Sequence, residues 1–101
     1  MNDPILELLE RIRPNPGMYI GEVSLEKLYM YLTGYSNALF DHTSLSTDQY
    51  SNFIEFLYSK YGNSVAGWCR LLRARAGSDQ AAFQLFFEEL DAYKSNGELE
   101  P

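Results

Sequence analysis

The chain reads as a single all-α domain of about five helices. Three observations predict this class. Apolar residues recur at three- and four-residue spacing through most of the 101 residues, no run alternates with period two for long, and glycine or proline interrupts the pattern at short intervals. Met18–Ile20 is the only short strand candidate. Helices joined by such short connections pack on one another around a common core.

The first helix opens at Asp3, whose carboxylate can cap orphan amides, with Pro4 at the first helical position. Ile5, Leu8, Leu9 and Ile12 form its apolar stripe, and Pro14 ends it by pushing Arg13 out of the α region. The next segment, RPNPGMYIG over Arg13–Gly21, predicts a type II turn at Asn15–Met18 with Pro16 second and Gly17 third, where a positive φ is required. Met18, Tyr19 and Ile20 are then expected to drop onto the core before Gly21 releases the chain.

The second helix runs from Ser24 to about Asp41 with Leu25, Leu28, Tyr29, Leu32, Tyr35 and Leu39 on its apolar side. A polar segment, His42–Thr47, leads to a third helix with Tyr50, Phe53, Ile54, Leu57, Tyr58 and Tyr61 on one face, closed by Gly62. Ser64 can cap a fourth, in which Val65, Trp68, Cys69 and Leu72 face one way before Gly77 stops it. Ser78 caps a fifth, whose stripe of Phe83, Phe86, Phe87, Leu90 and Tyr93 ends near Asn96. Residues 1–96 thus form the domain and 97–101 an acidic tail, with the core expected between the aromatic faces of the second, third and fifth helices.

Hydrophobic residues make up 46% and charged residues 22%, a globular composition. Fourteen acids against eight bases leave a net charge of −6, which repels phosphate backbones and anionic lipid. Neither a nucleic-acid nor a membrane partner is expected; a basic protein is. Cys69 is the sole cysteine, so no intramolecular disulfide or Cys-rich zinc site can form. Its neighbours Trp68 and Leu72 suggest a buried small hydrophobe, and a free thiol suits a reducing cytoplasm. Residues 1–20 lack a basic flank before a long apolar core, and no 18 consecutive apolar residues occur, so neither a signal peptide nor a membrane span is expected.

No GxxxxGKS or GxGxxG pattern is present, and no cofactor is expected. His42, the only histidine, sits beside Asp41 without a spaced nucleophile or other ligand; a helix C-terminal His favoured by the dipole is the simpler reading. A small hydrolase using His42 is the least favoured function.

The charges are uneven. Lys60–Gly77 holds Lys60, Arg70, Arg73 and Arg75 with no acid, whereas Asp79–Pro101 holds six acids and Lys94. Arg70 and Arg73 either pair with acids of the fifth helix or face an anionic partner; short, antiparallel neighbours favour internal pairing. On the fifth helix the apolar stripe turns Glu88 and Asp91 to one flank and Leu85 and Glu89 to the other. On the third it turns Asp48 and Glu55 outward and leaves Phe56 off the stripe, as Met30 is on the second. Asp48, Glu55, Glu88, Glu89 and Asp91 are therefore candidate partner contacts, with Phe56 and Leu85 as apolar anchors inside an acidic rim.

RPNPGMYIG is similar to the RPGMYIG segment near the start of the gyrase B ATPase domain, but that fold needs a longer chain and a DxGxG-type motif that is absent here. A longer resemblance takes in RPNPGMYIG, SLEKLYMYLTGY, an aromatic helix, GWCRLLR and SDQAAFQLFFEELDAY. In that order they resemble the small bacterial immunity proteins that accompany contact-dependent and Rhs-type toxins. The resemblance implies a non-enzymatic cytoplasmic inhibitor that binds a cognate toxin C-terminal domain, often a nuclease. A helical adaptor or regulatory domain without a toxin partner is the alternative.

Overall fold

The computed structural model describes residues 3–42, 46–62 and 67–95. Among them it contains six helices and no strand: α1 (Pro4–Ile12), α2 (Pro16–Ile20), α3 (Leu25–His42), α4 (Asp48–Tyr61), α5 (Trp68–Ala76) and α6 (Asp79–Ser95). The all-α class is as the sequence predicts, with one more helix. Ser64, Val65 and the acidic tail lie outside the described residues, but α5 starts at Trp68 with Gly67 (φ 89°) as its N-cap, so the expected cap at Ser64 is corrected.

α1 begins as its sequence dictates. Asp3 Oδ1 accepts from the amides of Ile5 (2.8 Å) and Leu6 (3.2 Å), while its Oδ2 accepts from the amide of Tyr50 (3.0 Å) at the start of α4. One buried carboxylate therefore caps one helix and fixes the entry of another. Ile5, Leu8, Leu9 and Ile12 are all buried beneath it, so α1 supplies more of the core than an aromatic-only interior would allow.

The RPNPGMYIG segment differs from the expected turn. Pro16 fits the first position of a helix as well as the second of a turn, because both need φ near −65°. Here it starts α2, and the left-handed residue is Gly21 (φ 88°), the C-cap, not Gly17. The helical path sends Met18 into solvent (79% exposed), leaving only Tyr19 and Ile20 against the core.

Ser24 caps α3 by accepting from the amide of Lys27 (3.1 Å). Its hydroxyl donates to Asp79 at the start of α6, whose other oxygen accepts from the amide of Glu26 (3.0 Å). Arg73 of α5 reaches the same carboxylate (3.3 Å) and Glu26 (3.1 Å). This polar junction sets where α3, α5 and α6 begin or end relative to one another. α5 and α6 form a tight hairpin through Gly77 (φ 91°), and α6 lies against α3, α4 and α5 at once.

Phe86, fully buried at the centre of α6, meets Phe53 edge-on (5.4 Å between centroids) and stacks on Trp68 (5.1 Å), which meets Tyr29 (5.3 Å). The core is thus one continuous aromatic file flanked by leucines. Glu10 of α1 and Arg13, its C-cap, pair with Lys94 and Asp91 of α6, so three residues forward along the first match three back along the second, the register of antiparallel neighbours. The Cα radius of gyration, 13.1 Å, is that of one domain of about 100 residues.

Candidate functional site

Three of the seven candidate contacts remain outward and take no ion pair among the described residues: Asp48 and Glu55 on α4, and Glu88 on α6. Asp48 and Glu55 share a wholly exposed strip with Asn52 and Ser59, two helical turns and about 10 Å apart along the axis. Packing keeps this strip clear because Phe53 and Leu57 anchor the opposite side of α4 in the core.

Asp91 is exposed but occupied. Both oxygens accept from the Arg13 guanidinium at 2.7 Å, a bidentate pair that lowers the Asp91 carboxyl pKa below its ordinary value and raises that of Arg13. The guanidinium also lies 5.2 Å from the centre of the Phe87 ring. A partner would have to compete with this internal arrangement.

Glu89 corrects the expectation of an outward residue. It is 5% exposed, accepting from Lys60 Nζ (2.9 Å) and from the Tyr61 hydroxyl. The helical wheel assigned it to a flank because a helix against one neighbour buries a stripe about 100° wide. α6 packs against α3, α4 and α5 and is bridged to α1 as well, so its buried arc widens to include Ala82, Glu89 and Tyr93. Burial, reinforced by the hydrogen bond to the Glu89 carboxylate, pushes the Tyr61 hydroxyl pKa up to about 12. Lys60 and Arg75 lie 5.8 and 5.9 Å from the centre of the Tyr61 ring.

Phe56 and Leu85 are also corrected as exposed anchors, since both are half-buried against the core. Phe56 leaves the main stripe of α4 to pack its ring on Tyr93 (5.2 Å) and Phe53 (6.3 Å). The wheel could not see the aromatic neighbour on α6 that covers it.

The basic residues divide one by one. Arg73 is internally paired, as favoured, though with Glu26 as well as Asp79; Arg75 lies over Tyr61, and Arg70 is exposed without an ion pair among the described residues. Cys69 is buried, and the apolar surroundings push its thiol up to about 11, away from thiolate chemistry. His42 is the last residue of α3; its side chain lies outside the described set. Among the described residues no group of three His, Cys, Asp or Glu side chains is placed to hold a metal ion, and no helix is long and apolar enough to cross a membrane.

Sequence reasoning missed part of the surface. Phe40 is 87% and Met30 66% exposed on α3, and Ile20, Lys27, Met30 and Tyr31 line an open hollow of about 440 Å³. The position of Met30 off the apolar stripe was a legible signal; Phe40 shows the same signal, one residue past Leu39. With Met18 exposed and Ile20 at the hollow, RPNPGMYIG is a helical turn between core and surface and not a wholly buried corner. No protein-family model matches the chain, and neither the curated proteins nor the solved structures contain a match.

Proposed function

We propose that the chain is a non-enzymatic immunity-type protein that neutralises a basic toxin domain, such as a nuclease, by stoichiometric binding. The observation that carries the reading is the charge left over after folding. Arg13, Lys27, Lys60, Arg73 and Lys94, five of the eight bases, are held in internal pairs; among the described residues Glu7, Asp41, Asp48, Glu55 and Glu88 stay exposed without an ion pair against Arg11, Arg70 and Arg75, so acid is in excess. A domain that grips nucleic acid is basic, and exposed acids steer it in and match its surface. The resemblance of the ordered motifs to immunity proteins supports the same reading.

The test is co-expression with the C-terminal domain encoded directly upstream. Rescue from toxicity and co-purification are expected, and Asp48→Lys, Glu55→Lys and Glu88→Lys combined should weaken binding and reduce its salt dependence while helicity is kept. Failed rescue by soluble, folded protein overturns the reading. The adaptor alternative draws on Phe40, an exposed aromatic on α3, outside the acidic strip of α4. If binding to a non-toxic partner depends on Phe40 and not on the acids, that alternative replaces the first.

A further inference from the structure

Gly34 stands in the middle of α3, where glycine costs a helix stability relative to alanine. No contact among the described residues uses it. Outside its own helix backbone and chain neighbours, none of their atoms comes within 4 Å of where its Cβ would be, and its φ does not lie in the left-handed region. The face of α3 centred on it is solvent-exposed at Lys27, Met30, Gly34, Asn37, Ala38 and Asp41, which recur every three or four residues.

That face is complementary to itself. In an antiparallel pair of α3 helices with Gly34 opposite Gly34, Lys27 of each copy, which in the monomer holds an exposed pair with Glu22, faces Asp41 of the other, and Met30 meets Ala38, large against small. A glycine at the crossing lets two helices approach at or below the usual 8–10 Å between axes. The open hollow beside Lys27 and Met30 leaves room at each end for the approaching helix. Two copies of net charge −6 repel overall, but where these surfaces meet, the arrangement sets cation against anion.

We propose that the outward face of α3 is a self-association surface on which two copies of this chain pack antiparallel about Gly34. The dimer is weak, because one helix pair covers less than the roughly 800 Å² per partner of a standard interface. It is independent of the α4 and α6 acids on which the proposed function rests.

Sedimentation equilibrium of the full chain tests it. A concentration-dependent monomer–dimer equilibrium is expected below roughly 1 mM. Asp41→Lys and Lys27→Glu should each weaken it about tenfold, since each turns two attractive pairs repulsive. Made in a Glu22→Gln background, so that no second carboxylate crowds position 27, the double variant should restore it, because the exchanged charges again meet with opposite sign. Should Lys27→Glu lose its helical circular dichroism, Gly34→Glu takes its place and should abolish association. A wild-type chain that stays monomeric at roughly 1 mM, single reversals without effect, a double variant that fails to recover, or a folded Gly34→Glu that still associates would each overturn the proposal.

Discussion

α6 and the second half of α3 illustrate two uses of an aromatic helix. α6 is surrounded by three helices, and Phe83, Phe86, Phe87 and Tyr93 are all buried in it. α3 is buried through Leu25, Leu28 and Leu32, but from Gly34 to Asp41 only Tyr35, Ser36 and Leu39 are even half-buried, and Phe40 points into solvent. Neighbours, more than composition, decide which aromatic residues carry stability. The polar junction of Ser24, Asp79 and Arg73 lies at the buried end of α3, far from its exposed end.

The sharpest way to break the comparison is to truncate one phenylalanine from each region. Phe86→Ala removes a fully buried ring from its contacts with Phe53, Trp68 and Phe87 and should cost about 3–5 kcal/mol in urea unfolding. Phe40→Ala should change stability by no more than about 0.5 kcal/mol. A large loss at Phe40 would place it in a core.

Glu89→Ala follows in size. It leaves the Tyr61 hydroxyl without its acceptor, and hydrogen bonds to a charged group that is itself buried contribute about 1.5–3 kcal/mol. Because Lys60 is half in water and recovers its hydration, the expected loss is about 1–2 kcal/mol. A neutral or stabilising result would return Glu89 to the class of dispensable surface acids.

These residues also mark how far the sequence could be read. Arg13 before Pro14 stays in the α region (φ −50°, ψ −49°) and is not pushed out of it, and Pro16 starts a helix in place of the expected turn. Several other helix boundaries were legible from local signals: Asp3 with Pro4, Gly62 and Gly77 each act within four residues of themselves. The core stripes were legible for the same reason, since periodicity is local. The width of the buried arc on α6 was not, because it depends on how many helices surround it. Nor were the long-range ties of Asp3 to Tyr50 and of Asp79 to Ser24 and Glu26, which join positions 47 to 55 residues apart. Of the candidate contacts, Asp48, Glu55 and Glu88 kept their outward places, whereas Glu89, Phe56 and Leu85 met neighbours that no wheel contains.

Alkaline titration probes the buried region, where burial pushes up the Tyr50 hydroxyl as well. The Cys69 thiol is raised from 9.0 to about 11 and the Tyr61 hydroxyl from 10.0 to about 12, so both hold their protons more tightly in the folded chain. Their contribution is complete below the unfolded values and disappears as pH rises, from 9 to about 11 for Cys69 and from 10 to about 12 for Tyr61. Melting temperature should therefore fall more steeply above pH 9, and Tyr61→Phe should flatten the part above pH 10. An unchanged slope in that variant would mean that Tyr61 titrates alike in both states.

A small effect of the opposite sign, a gain, is expected where the two parts of α3 meet. Gly34→Ala adds a methyl group into open space on a helix and should stabilise the monomer by about 0.5–1 kcal/mol, through better propensity and a more restricted unfolded chain. The same methyl group stands where two copies would cross, so association should weaken while thermal stability rises. Opposite signs from one carbon separate the two uses of the helix. A variant that gains stability and associates as before would leave Gly34 without a part in any interface.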